Sequence, residues 1–112
     1  TSPQPSSLEV TTAELVQMRS DANLLLLDCR EPDEYEIARI EGAQLIPMRE
    51  IPERLADLEP WREQPLVVHC HHGVRSLRVV EFLRSKGFAG AQSLAGGIEA
   101  WSLEVDAGVP RY

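Results

Sequence analysis

Leu66-Val67-Val68-His69-Cys70-His71-His72-Gly73-Val74-Arg75-Ser76 is the stretch from which the fold can be read. Leu66 to Val68 is apolar without interruption, and His69 and Cys70 close the run, the pattern of a strand buried on both faces. Beyond the loop, Leu77, Val80 and Leu83 recur at helical spacing, Val79 joins Leu83 across four residues, and Gly87 ends the stripe. Strand, tight loop and amphipathic helix in that order make one unit of an open α/β sheet. Ligands in such sheets bind beyond the carboxyl ends of the strands, which is where Cys70 stands.

The same alternation continues outward. Thr11 with Glu14 fits a capping box for a short helix to about Arg19. Leu24 to Leu27, ending in Asp28, is a second buried strand, and Pro32 followed by Asp33 and Glu34 opens a short helix. Ala43 to Ile46 is a further strand closed by Pro47, and a polar helix follows around Pro52 to Leu58. Ala91 to Leu94 is a small strand before Gly96-Gly97, after which Ile98, Trp101 and Val105 share one face of a last helix. The pattern predicts a compact α/β domain with a mainly parallel sheet. Residues 1–7 read as a flexible tail or linker, because Pro and small polar residues bury nothing, and residues 8–112 as one domain.

Composition sets the bounds. At ~150 residues per domain, 112 residues make one domain, large enough for a single core. With 43% apolar and 26% charged residues the chain is globular rather than disordered. No apolar run approaches the ~20 residues of a membrane helix. Two cysteines, Cys29 and Cys70, make no disulfide framework, and no CxxC pair points to zinc. Without a signal-peptide core, the expected compartment is a reducing cytoplasm. Thr1 stands where a Met would begin a translated chain, which suggests trimming or excision from a longer polypeptide. The net charge of −7 argues against a nucleic-acid surface. Its distribution is uneven: residues 28–63 carry 11 acids and 5 bases, residues 64–112 carry 4 acids and 5 bases. An anion site therefore belongs in the C-terminal half.

The Cys70 loop has the ingredients of an anion cradle. Backbone N–H groups of a tight loop can turn inward, and a helix N-terminus adds partial positive charge. Gly73 permits a backbone angle such a loop needs, and Arg75 offers a fixed cation with paired donors. A thiol in that field loses its proton readily, which makes Cys70 a candidate covalent nucleophile. The plain alternative is an inert strand-end cysteine. His71 and His72 are placed to hydrogen-bond a donor or supply protons, or merely fill loop positions. His69-Cys70-His71-His72 invites a metal reading, but strand alternation turns His69 away from Cys70 and the spacing matches no usual zinc pattern. No metal and no cofactor is expected.

Four segments now stand out: Leu27-Asp28-Cys29-Arg30-Glu31-Pro32-Asp33-Glu34-Tyr35, Ile40-Glu41-Gly42-Ala43, the Cys70–Arg75 loop, and Leu94-Ala95-Gly96-Gly97-Ile98-Glu99-Ala100-Trp101. In this order, and over most of the chain from Leu8 to Trp101, they resemble the rhodanese family of sulfurtransferase domains. The resemblance implies a five-stranded, mainly parallel sheet flanked by helices. It implies transfer of sulfane sulfur through a persulfide on Cys70, held by the loop N–H groups of His71, His72, Gly73, Val74 and Arg75. The donor would be thiosulfate or a protein persulfide, and the acceptor a thiol, cyanide or a downstream protein. One departure is Ala38-Arg39, where the family often has Gly-His. Phosphatases of related loop design place five residues between cysteine and arginine; here four lie between Cys70 and Arg75. The chain's two ends resemble rhodanese modules fused after an adenylyl-transferring E1-like domain, which makes a persulfide relay module the main alternative. A non-catalytic binding module would usually lack the cysteine. A monomer suffices for either activity, and no membrane or nucleic acid is implied.

The remaining candidates have structural readings beside functional ones. Asp28 and Arg30 resemble the family's Asp-x-Arg element, and Arg30 is expected to pair with a neighbouring carboxylate such as Glu34. Cys29 is either inert or a resolving thiol for Cys70. Gly96 and Gly97 read as turn glycines, Trp101 as a core anchor and Trp61 as edge packing. The acidic stretch reads as a solvated face.

Overall fold

The computed structural model describes residues 8–20, 24–62 and 64–110, so the expected tail at 1–7 and the last two residues lie outside the described part. Five strands form one sheet: β1 (Glu9–Val10), β2 (Leu25–Asp28), β3 (Gln44–Leu45), β4 (Leu66–His69) and β5 (Ala91–Leu94). Around it pack α1 (Thr12–Ser20), α2 (Pro32–Ile37), α3 (Leu55–Leu58), α4 (Val74–Ser85) and α5 (Gly97–Glu104). The strand order is β1-β5-β4-β2-β3, and every pairing is parallel.

Apolar runs become central strands here because both faces are covered. Every residue of β2, β4 and β5 is buried. Along each strand, alternate side chains enter different cores. Leu25, Leu27, Leu66 and Val68 join Val79, Val80, Leu83 and Phe88 on one side. Leu26 and Val67 join Leu15, Ile98 and Trp101 on the other. Each fully buried Leu or Val of this kind contributes roughly 1.5–3 kcal/mol of transfer free energy. The sandwich holds β4 at the centre of the sheet and sends its carboxyl end into the candidate site.

Both helix-start readings hold. The Glu14 N–H donates to Thr11 Oγ1 at 3.1 Å while the Thr11 N–H donates to Glu14 Oε1 at 2.9 Å. A second such box, between Glu31 and Glu34, opens α2 at Pro32.

One strand was not expected, and three expectations need correction. β1 was not legible, because two residues carry no periodicity; it exists through pairing, with Ser93 and Ala95 N–H donating to Leu8 and Val10 carbonyls at 2.8 Å each. The strand expected over Ala43 to Ile46 pairs only at Gln44–Leu45. The polar helix expected around Pro52 to Leu58 is a 3₁₀ segment over Met48–Arg54 followed by α3, since Pro52 lacks the N–H that continued α-helix requires. Val105 lies past the end of α5 and is exposed, whereas Ile98 and Trp101 are buried as expected. Among the described residues no helix is long and apolar enough to cross a membrane.

Candidate active site

Cys70 follows directly on β4, and the chain must then reverse into α4 within a few residues. Gly73 makes the reversal at φ +105°, a left-handed conformation that side chains disfavour. The turn brings donors onto the Cys70 sulfur. The Gly73 N–H donates at 3.0 Å, the Ser76 N–H from the first turn of α4 at 3.4 Å, and the Ser76 hydroxyl lies at 3.5 Å. Behind Ser76, the Ser93 hydroxyl of β5 is 2.7 Å away. With a thiolate at Cys70, the Ser76 hydroxyl donates a hydrogen bond either to the sulfur or to the Gly73 carbonyl at 3.2 Å, and Ser93 can donate to Ser76.

A second wall comes from α5. Ile98 N–H donates to the Cys70 carbonyl at 2.8 Å and Glu99 N–H to the His71 carbonyl at 3.2 Å. Gly97 sits so close to both carbonyls that a Cβ there would collide with them. The Gly96-Gly97 pair thus lets a helix N-terminus abut the loop backbone.

The Cys70 thiol is held at about 4. The largest cause is a hydrogen bond from the Cys29 thiol; burial opposes it, and the Ser76 hydroxyl, Ser76 N–H and Gly73 N–H add to the lowering. Cys29 is pushed well above the ordinary thiol range, first by that same hydrogen bond and then by burial. In the geometry the Cys29 Sγ donates to the His69 carbonyl at 3.5 Å. The two neighbouring thiols are thus shifted in opposite directions.

The structure redistributes the expected ion pairs. Arg30 pairs not with the Glu34 carboxylate but with Asp28, through Nε and Nη2 at 2.9 and 2.6 Å, and also donates to the Ala38 carbonyl at 2.6 Å; all of it is buried. Glu34 instead receives both arms of Arg75, at 2.7 and 2.9 Å. The physical reason is reach: Asp28, two residues before Arg30, ends the same strand, whereas Glu34 projects from α2 towards the start of α4. Arg75 therefore braces α4 against α2, and its guanidinium, held above its ordinary range chiefly by Glu34, touches Cys70 only through the field. His69 faces Asp28 at 3.7 Å and is kept neutral by burial, which lowers it to about 4.

Of the six site residues read from the sequence, Cys70 and Gly73 meet at the sulfur. His71 and His72 form the rim with rings stacked 4.0 Å apart, Val74 is 66% exposed beside them, and Arg75 turns to Glu34. Sequence reasoning missed Ser76 and Ser93. Ser76 had a signal, since the first turn of a helix carries N–H groups without intrahelical partners. Ser93 had none: only the pairing of β4 with β5 brings it close.

A parallel α/β sheet with a donor-ringed cysteine between a strand end and a helix start defines the class, and the chain belongs to the rhodanese-like domain family, whose profile matches residues 11–104. Among its relatives is the adenylyltransferase and sulfurtransferase MOCS3-2 of Zea mays, 37% identical over 96% of this chain; the chain spans 24% of that protein's length. Thiosulfate sulfurtransferase GlpE of Coxiella burnetii is 34% identical, with 79% of this chain and 78% of the relative covered. The solved structure of a rhodanese-related protein from Thermoplasma volcanium matches with TM-score 0.77 at 33% identity, over 87% of this chain and 92% of its own.

Proposed function

We propose that this domain is a sulfurtransferase that carries sulfane sulfur as a persulfide on Cys70, from thiosulfate or a protein persulfide to a thiophilic acceptor. The observation that carries the reading is the Cys70 sulfur itself, buried, receiving two backbone N–H groups and lying 3.5 Å from the Ser76 hydroxyl, an environment that lowers the thiol to about 4. The thiolate attacks the outer sulfur of thiosulfate, the S–S bond of the donor breaks, and sulfite leaves with the bonding pair. Negative charge then rests on the outer sulfur, which we assign to the loop N–H groups of His71, His72, Gly73, Val74 and Arg75. An acceptor thiolate or cyanide takes that sulfur, and Cys70 departs as thiolate. A leaving thiol of low pKa leaves fast, so the field that activates Cys70 serves both steps.

The match to a maize adenylyltransferase and sulfurtransferase favours a second reading at the level of the whole protein. There the domain is a relay that passes its sulfur to a downstream protein. Both readings place it in a reducing compartment such as the cytoplasm, where the two thiols stay free. The four-residue spacing from Cys70 to Arg75 supports sulfur transfer over phosphate-ester hydrolysis.

The test is intact-mass analysis and peptide mapping after incubation with thiosulfate, or with a cysteine desulfurase and cysteine. One added sulfur atom is expected on the peptide containing Cys70, absent in Cys70→Ser and retained in Cys29→Ser. Sulfur on any other residue, or none on Cys70 with either donor, overturns the reading.

A further inference from the structure

The rim of the Cys70 bowl holds donors that the sulfur chemistry leaves unassigned: the imidazoles of His71 and His72 and the carboxylate of Glu99. One ligating atom from each lies within 4.8 Å of the other two. His71 Nε2 stands 3.6 Å from Glu99 Oε2. That is close to the ~3.3 Å separating two ligands of a tetrahedral zinc ion bonded at ~2.0–2.1 Å. His72 is exposed and stacked on His71, and its ring must turn out of the stack for both imidazoles to face one ion.

The frame that carries these groups is stiff. Glu99 belongs to the first turn of α5, and its own N–H is bonded to the carbonyl of His71. The neighbouring Ile98 N–H holds Cys70, and Gly97 lies against both loop carbonyls. The loop and α5 therefore cannot drift apart without breaking hydrogen bonds on both sides of the donor set.

We propose that His71, His72 and Glu99 bind a divalent transition-metal cation of the zinc class, and that the bound ion closes the mouth of the Cys70 bowl reversibly. Two imidazoles and one carboxylate suit a borderline ion; magnesium and calcium demand more oxygen ligands than the rim supplies. Three protein ligands leave a coordination position for water. The cluster escapes a sequence reading because Glu99 lies on another element. His69, which the run of histidines suggests as a ligand, is buried against Asp28 instead.

The test uses the untagged chain and does not depend on sulfur transfer. In a Cys70→Ser background, where no thiolate at position 70 can capture the ion, calorimetric titration should show one equivalent of Zn²⁺ bound and no binding of Mg²⁺. Co²⁺ should give the absorption bands of a low-coordinate site. His72→Ala and Glu99→Gln should each weaken Zn²⁺ at least tenfold, with circular dichroism unchanged. With Cys70 present, Zn²⁺ should slow its alkylation by iodoacetamide, a chelator should restore the rate, and Glu99→Gln should react equally with and without the ion. Absence of Zn²⁺ binding in Cys70→Ser, equal binding of Mg²⁺, or undiminished affinity in Glu99→Gln would each overturn the proposal. Persulfide formation on Cys70 stands or falls separately.

Discussion

Cys29 and Cys70 end neighbouring parallel strands, each one residue beyond the register pair Asp28 and His69, and each is 1% exposed. Their thiols are nonetheless shifted in opposite directions. Burial raises both thiols, so depth cannot separate them. The partner thiol and the chain that follows each cysteine do. After Cys29 comes Arg30, whose side chain and N–H fold back onto Asp28 rather than onto the sulfur. After Cys70 come a left-handed glycine and a helix start, which turn two N–H groups onto it. The direction of each thiol's shift is thus set first by its partner thiol and then by the loop that follows it.

The Asp28 side of the comparison is the place where a single change costs most. Asp28→Asn leaves Arg30 buried without its counter-ion and should destabilise the fold by about 3–5 kcal/mol. Urea unfolding measures this, and Asp28→Asn with Arg30→Met should recover a large part of the loss, because the uncompensated charge is gone.

Gly73→Ala attacks the other side. A side chain at φ +105° costs about 1–3 kcal/mol, and relaxation of the turn withdraws the N–H from Cys70. Slower alkylation of Cys70 at pH 6, beyond what the lowered unfolding midpoint explains, is the expected signature.

Cys29→Ala tests the partner thiol itself. The wild-type alkylation rate should hold level from pH 8 downward and fall only as pH passes about 4, where the thiolate takes up its proton. Removing the Cys29 donor should move that fall upward by about one unit, equivalent to ~1.4 kcal/mol, and Cys29→Ser should restore most of it. Stability follows the same sign. Between about 4 and 9 the unfolded chain keeps a proton on Cys70 that the folded chain has released, so stability rises with pH across this window. Neutral, buried His69 adds to the rise between about 4 and 6.5. Cys70→Ser should flatten the slope above 6.5.

Ser93→Ala should give the smallest effect. It leaves both N–H donors in place and removes only the hydroxyl that orients Ser76, so the alkylation profile should shift upward by less than the Cys29→Ala profile does. An equal or larger shift would mean that the Ser93–Ser76 chain, rather than Cys29, governs the thiolate.

Much of this was readable from the chain. Uninterrupted apolar runs at Leu25–Leu27 and Leu66–Val68 are what a doubly covered parallel sheet demands, so the central strands were visible. Pro32 and the paired Thr11 and Glu14 carry their helix starts locally. The Cys70 loop was visible because a strand end, a glycine and a helix start are all local features. What the chain did not show falls mostly to one cause: β1, Ser93, Glu99 and the exchange of partners among Asp28, Arg30, Glu34 and Arg75 depend on meetings across elements, whereas the helix expected around Pro52 fails for a local reason. No periodicity records such meetings.

Alternating apolarity and turn chemistry by themselves fixed the α/β class, the place of the cysteine at a strand end, and the turn that follows it, since these are set by neighbours a few residues apart. The tertiary structure alone decided which of two equally buried thiols is lowered, where the arginines spend their charge, and which side chains share the rim. Those outcomes are differences between competing partners at a few ångströms, and only the packing of β2, β4, β5, α4 and α5 sets which partners compete.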